Sequence, residues 1–169
     1  MQKPSQWLAS VPWQAVLEVN QALCQTQKTS HEPNLKTHEA TRQLWEQSLA
    51  RDLPLTGALD ICRRAQELAP FIFNNGNTFA ALGQTMVEEI ARCFPPVEAT
   101  ILRNTVGHYI AGVIAKKELV EVLNYFERRL KITPVPHPAP ASGETEVEPV
   151  SELAEGQFPG VWTFSERNR

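Results

Sequence analysis

The chain has 169 residues, 42% apolar and 21% charged, with a formal net charge of −3. That length supports one domain with a substantial core rather than two, and so mild a charge points to neither a nucleic-acid partner nor a membrane surface. The opening MQKPSQWLASVPWQ is broken by polar residues and no run approaches the roughly 20 apolar residues of a membrane span, so a cytoplasmic location is expected.

Helical spacing of apolar residues predicts six helices. Ser10 reads as the first N-cap, with Pro12 in the first turn and Trp13, Val16, Val19 and Leu23 forming a stripe. The polar run from Gln25 to Lys36 is a loop. Thr37 caps a second helix carrying Leu44, Trp45 and Leu49, and Thr56 caps a third that runs to about Ala69, where Pro70 excludes the helical conformation at the residue before it. Asn77 or Thr78 opens the fourth, whose stripe is Phe79, Leu82, Met86, Ile90 and Cys93. Pro95 and Pro96 break it and start the fifth, with Leu102, Val106, Tyr109 and Val113, which Gly112 ends. The sixth begins near Lys116 and carries Leu119, Leu123, Phe126 and Leu130. No segment alternates with a period of two over strand length. The fold class expected is all-α, an irregular stack of about six helices built as helical hairpins over residues 1–133.

At Pro134 the composition changes to proline and glutamate with few bulky apolar residues, which cannot offset the entropy of ordering, so residues 134–157 are expected to be a disordered linker. Residues 158–169 bring back Phe158, Val161, Trp162 and Phe164. This cluster reads either as a fold-back onto the domain or as a short recognition motif. Residues 134–169 hold six glutamates and two arginines, leaving the first 133 residues near +1. Cys24, Cys62 and Cys93 each fall on an apolar stripe and read as buried free thiols.

ALDICRRAQELAP, with Ala58, Cys62, Ala65 and Pro70, resembles the second helix of a tetratricopeptide repeat, in which small and bulky residues recur before a closing proline. Phe79, Leu82, Gly83 and Met86 are similar to the first helix of a following repeat. The resemblance covers about residues 58–86 and implies paired helices held close by small residues. FIFNNGN is about three residues longer than the connection between such repeats, and Pro95 stands where the next small residue belongs.

Three candidate sites stand out. Asn74, Asn75 and Asn77 surround Gly76 in a turn that either closes a hairpin or presents helix N–H groups to an anion or a carboxylate. Arg63 and Arg64 on the third helix, Arg103 on the fifth and Arg128 and Arg129 on the sixth are either solvated faces or a shared basic surface for an acidic peptide, this chain's own glutamate-rich segment included. Trp162 and Phe164 are candidate anchors. His108 is the one histidine well inside a predicted helix, and reads as a satisfied side chain or a general base. No HxxxH, HExxH or CxxC spacing occurs, so neither metal nor cofactor is expected.

The expected function is a non-catalytic protein–protein interaction or adaptor module with a helical groove and a C-terminal motif. One alternative is a helix–turn–helix nucleic-acid binder made of the third and fourth helices, although Phe79, Ala80, Ala81 and Leu82 lack base-reading groups. Another is an enzyme with an unfamiliar site near His108.

Overall fold

The computed structural model describes residues 7–132, apart from the side chain of Ile132. Among the described residues the regular structure is α1 (Trp13–Gln27), α2 (His38–Leu49), α3 (Leu55–Leu68), α4 (Asn75–Met86), α5 (Glu88–Ala91), α6 (Pro96–Ile110) and α7 (Lys116–Ile132). Among the described residues the only β pairing is a bridge between Pro33 and Phe71. The all-α stack read from periodicity is what the described residues form, with one helix more among them than expected. The linker 134–157, the terminal segment 158–169, and with them Trp162 and Phe164, lie outside the described residues.

α4 is the innermost helix, packed by α6, α3 and α1, while α7 lies at the edge chiefly against α6. Its sequence explains the position: Thr78, Phe79, Leu82, Gly83 and Met86 give it buried groups on more than one side. Gly83 sets how close its neighbours come. A Cβ there would lie 2.2 Å from Cδ1 of Ile110 on α6, 3.1 Å from Cγ1 of Val106 and 3.3 Å from Cδ2 of Leu59 on α3. Ala58, Cys62 and Ala65 on α3 are fully buried and similarly small. At the other end of the core Trp45 is fully buried, packs at 6.3 Å on Trp13 and 5.7 Å on Phe79, and donates its Nε1 hydrogen to the Val11 carbonyl at 2.8 Å. That bond matters because a buried indole N–H without a partner would offset part of the roughly 2–3 kcal/mol that burying the ring contributes.

Helix boundaries show where local sequence signals were overridden. α1 starts after Pro12 and α3 after Pro54, not at the expected caps Ser10 and Thr56. Proline's fixed φ sets the turn into each helix. Thr37 is the N-cap of α2, yet its hydroxyl donates to the Ala69 carbonyl at 2.8 Å, tying a loop down instead of capping the helix. Ala69, the residue before Pro70, closes α3 in a left-handed conformation with φ 49° and ψ 68°. Gly112, at φ 80°, ends α6 as expected, but this places Val113 beyond the helix, 61% exposed instead of on its stripe.

The largest departure is between Met86 and Cys93. One helix was expected there; the chain breaks at Val87 (φ −93°, ψ 1°) and resumes as the single turn α5. The break leaves Met86, Val87 and Ala91 buried. It also turns Glu88 toward α6, and it corrects the cysteine reading: Cys24 and Cys62 are buried, but Cys93 is exposed.

Candidate functional site

The asparagine turn is built into a buried polar network. Asn20 on α1 is fully buried and donates to the Phe73 carbonyl at 2.9 Å and the Thr78 hydroxyl at 3.0 Å. With both amide hydrogens so used, its Oδ1 is the acceptor facing His31 Nδ1 at 2.7 Å, which makes His31 the donor. Asn74 sits at φ 64°, where asparagine is tolerated, and donates to Thr29 Oγ1 at 3.2 Å and Cys24 Sγ at 3.4 Å. Asn75 accepts from the Phe71 N–H at 2.9 Å and donates to the Phe71 carbonyl at 2.8 Å. Asn77 is half-buried. Two of the three asparagine side chains are thus engaged within the domain.

Alongside this network, two distant loops pair. Asn34 N–H donates to the Pro70 carbonyl at 2.8 Å and Ile72 N–H to the Glu32 carbonyl at 3.0 Å. Phe71, brought in by that pairing, stacks on Trp13 at 6.2 Å and meets the rings of His31 and His38 at 5.7 and 5.8 Å. Burial pushes the His38 pKa below its ordinary value, with Arg42 and His31 acting in the same direction and Glu39 opposing. Sequence reasoning missed this cluster, because its members come from three separate segments.

The arginines are engaged with different partners. Arg103 pairs with Glu88 through two bonds of 2.9 Å, a fork that holds the Glu88 carboxyl below its ordinary pKa. Arg63 belongs to a different corner: it lies over the Tyr109 ring at 4.9 Å, donates to the Ile114 carbonyl at 3.2 Å and pairs with Glu67 at 3.4 Å. Arg64 pairs with the same Glu67 at 3.4 Å. In that corner the Tyr109 hydroxyl donates to Asp60, which also takes Lys116, and burial followed by the Asp60 contact pushes the Tyr109 pKa up to about 12. Arg128 donates to the Asn124 carbonyl on its own helix at 3.3 Å, and Arg129 meets Glu98 at 3.6 Å. His108 is half-buried on α6.

A third region lies between α6 and α7. α7 leans on α6 along one side, leaving a groove of about 310 Å³ lined by Glu98, Ile101, Glu121, Val122, Tyr125 and Phe126. Phe126 forms its buried floor, edge-on to Phe94 at 4.7 Å. Two apolar residues of the walls are open to solvent, Ile101 at 50% and Tyr125 at 41% exposed, and Val97, one turn before Ile101 and outside the lining, is 73% exposed. Glu98 lies within the groove, and its Oε2 is buried with no hydrogen-bond partner. In the sequence Val97 and Ile101 were visible only as apolar residues off the stripe of their helix, which is the signal that could have found the surface.

Comparison of the chain with protein-family models, curated proteins and solved structures finds no match. Among the described residues no group of three or more His, Cys, Asp or Glu side chains is placed to hold a metal ion, and no helix is long and apolar enough to cross a membrane.

Proposed function

We propose that this protein is a protein–protein interaction module whose helical body binds through the α6–α7 groove, with a second contact at Trp162 and Phe164. The observation that carries the reading is the set of exposed apolar side chains Val97, Ile101 and Tyr125 on two adjoining helices, beside the partly buried Val122. Exposed apolar area arranged over a groove and rimmed by charge is what an interface needs, with an aromatic side chain as its anchor. The packing also favours this over a helix–turn–helix. α4, which would be the recognition helix, is enclosed by α1, α3 and α6, whereas reading base edges needs an exposed helix.

The test is affinity capture from lysate with the full chain, with a chain ending at Ile132, and with Ile101→Glu. The expected result is a bound protein that Ile101→Glu loses. Equal retention by wild type and Ile101→Glu assigns the contact elsewhere and refutes the groove.

A further inference from the structure

Asn75–Gly76 is the one Asn–Gly pair in the chain. Such a pair has a chemistry of its own, because glycine has no Cβ to shield its backbone nitrogen from the side-chain amide before it. Both residues are partly exposed, so water reaches them. Apart from the adjoining backbone, nothing lies within 4 Å of where a Gly76 Cβ would stand. The first bond of the α4 ladder runs from the Thr78 N–H to the Asn74 carbonyl at 2.9 Å, which leaves the Gly76 N–H ahead of the ladder. What restrains the pair is the Asn75 side chain. Its amide accepts from the Phe71 N–H at 2.9 Å and donates to the Phe71 carbonyl at 2.8 Å. With Oδ1 and Nδ2 both held on Phe71, Cγ is not free to swing onto the Gly76 nitrogen. Asn74 and Asn77 are followed by Asn75 and Thr78, whose side chains crowd the same approach.

We propose that Asn75 is a site of self-modification gated by this turn: when the turn opens, Asn75 deamidates through Gly76, and the product cannot refasten to Phe71. The Gly76 nitrogen gives its proton to solvent and bonds to Cγ. The Cγ–Nδ2 bond breaks and Nδ2 leaves as ammonia, so a five-membered succinimide remains. Water then adds to a ring carbonyl and breaks its bond to the Gly76 nitrogen. Opening at Cγ gives aspartate, and opening at the main-chain carbonyl gives isoaspartate. The net change consumes water and releases ammonia, with nothing oxidised or reduced. In the aspartate product an oxygen replaces the Nδ2 donor opposite the Phe71 carbonyl oxygen, so a bond of 2.8 Å becomes a repulsion. Negative charge suits the first turn of α4 and offsets part of that loss. In the isoaspartate product the main chain runs through Cγ and gains a methylene, so the turn and the helix lose register. Phe71 is the residue that this turn holds against Trp13, His31 and His38. Each conversion therefore leaves a permanent mark of one opening of this corner.

The test incubates the full chain in mildly alkaline buffer, native and in guanidinium chloride, and reads aspartate and isoaspartate at residue 75 by peptide chromatography and mass spectrometry. Conversion is expected in denaturant and at least about tenfold more slowly in the native chain, as for a site reached only by local opening. Asn20→Ala removes the bonds to Phe73 and Thr78 and is expected to raise the native rate at least about fivefold. Gly76→Ala has room for its methyl group and suits a helix, so it folds, and by crowding the attacking nitrogen it is expected to slow conversion at least about tenfold in both states. Converted chain, separated from unconverted, is expected to exchange the amide hydrogens of Phe71 and Ile72 at least about tenfold faster. Equal rates in the native and unfolded chains, or a native rate that Asn20→Ala leaves unchanged, overturn the gate. Conversion that Gly76→Ala does not slow overturns the route through Gly76. Unchanged exchange in the converted chain overturns the release of Phe71.

Discussion

Asn20 of α1 and Thr78 of α4 meet at 3.0 Å in a fully buried contact, 58 residues apart in the chain. The Asn20 amide also holds the Phe73 carbonyl and His31, so one side chain fixes α1, the α3–α4 turn and the loop that follows α1. Asn20→Ala leaves buried partners without bonds and is expected to cost on the order of 2–3 kcal/mol in urea denaturation. A cost below about 0.5 kcal/mol would mean that water replaces the amide at this point.

Gly83 and Ile110 define the spacing between α4 and α6. Gly83→Ala places a methyl group against Ile110, Val106 and Leu59, and overpacking of this kind costs about 1–3 kcal/mol, set against about 1 kcal/mol gained in helix propensity. The net expectation is destabilisation. Ile110→Val removes the Cδ1 that the new methyl would strike, so the double variant should be more stable than the two single effects add up to. Strict additivity would place the strain elsewhere.

Stability should fall with acid in two windows. Burial holds His38 below 6.5, so between 6.5 and its folded value the unfolded chain binds the proton first, and stability declines as pH drops through that range. Glu88 is held below 4.5 by Arg103, so its contribution is present above that value and lost as pH falls through the folded one. His38→Gln should flatten the upper decline and Glu88→Gln the lower. Because Glu88 and Arg103 are each about a third exposed, their pair should contribute no more than about 1 kcal/mol. Urea midpoints measured against pH check both, and an unchanged upper slope in His38→Gln contradicts the assignment.

Of the three cysteines, only Cys93 should react rapidly with a thiol reagent in the native protein. Cys24 and Cys62 are buried, and burial pushes the Cys62 thiol up to about 12, far from the reactive thiolate. The expected readout is one fast equivalent of released thiolate, with the other two following unfolding. Two or more fast equivalents would contradict the packing of α1 or α3.

What the sequence made visible was local. The 3.6-residue spacing marked Trp13 and Val16, and Leu102, Val106 and Tyr109, as buried faces, while Pro70 and Gly112 marked the turns that follow α3 and α6. What stayed hidden depends on groups far apart in the chain. Nothing near Glu88 announces Arg103, and nothing near Tyr109 announces Asp60, 49 residues earlier. The chain breaks at Val87, so Cys93 could not be placed by extending a stripe. The asparagines of the turn were conspicuous because their conformation and bonds are specialised. Asn74 and Asn75 spend those bonds holding the turn to α1 and Phe71. The candidate surface lay instead in Val97 and Ile101, two ordinary residues on the outer side of α6.

The most direct measurement compares the two exposed apolar regions in the cell. A photo-crosslinking benzophenone amino acid is placed at Ile101 in the groove and, separately, at Leu35, which is 91% exposed on the loop before α2. The account predicts a discrete crosslinked product from position 101 and none from position 35. A product from position 35 with none from position 101 would contradict it.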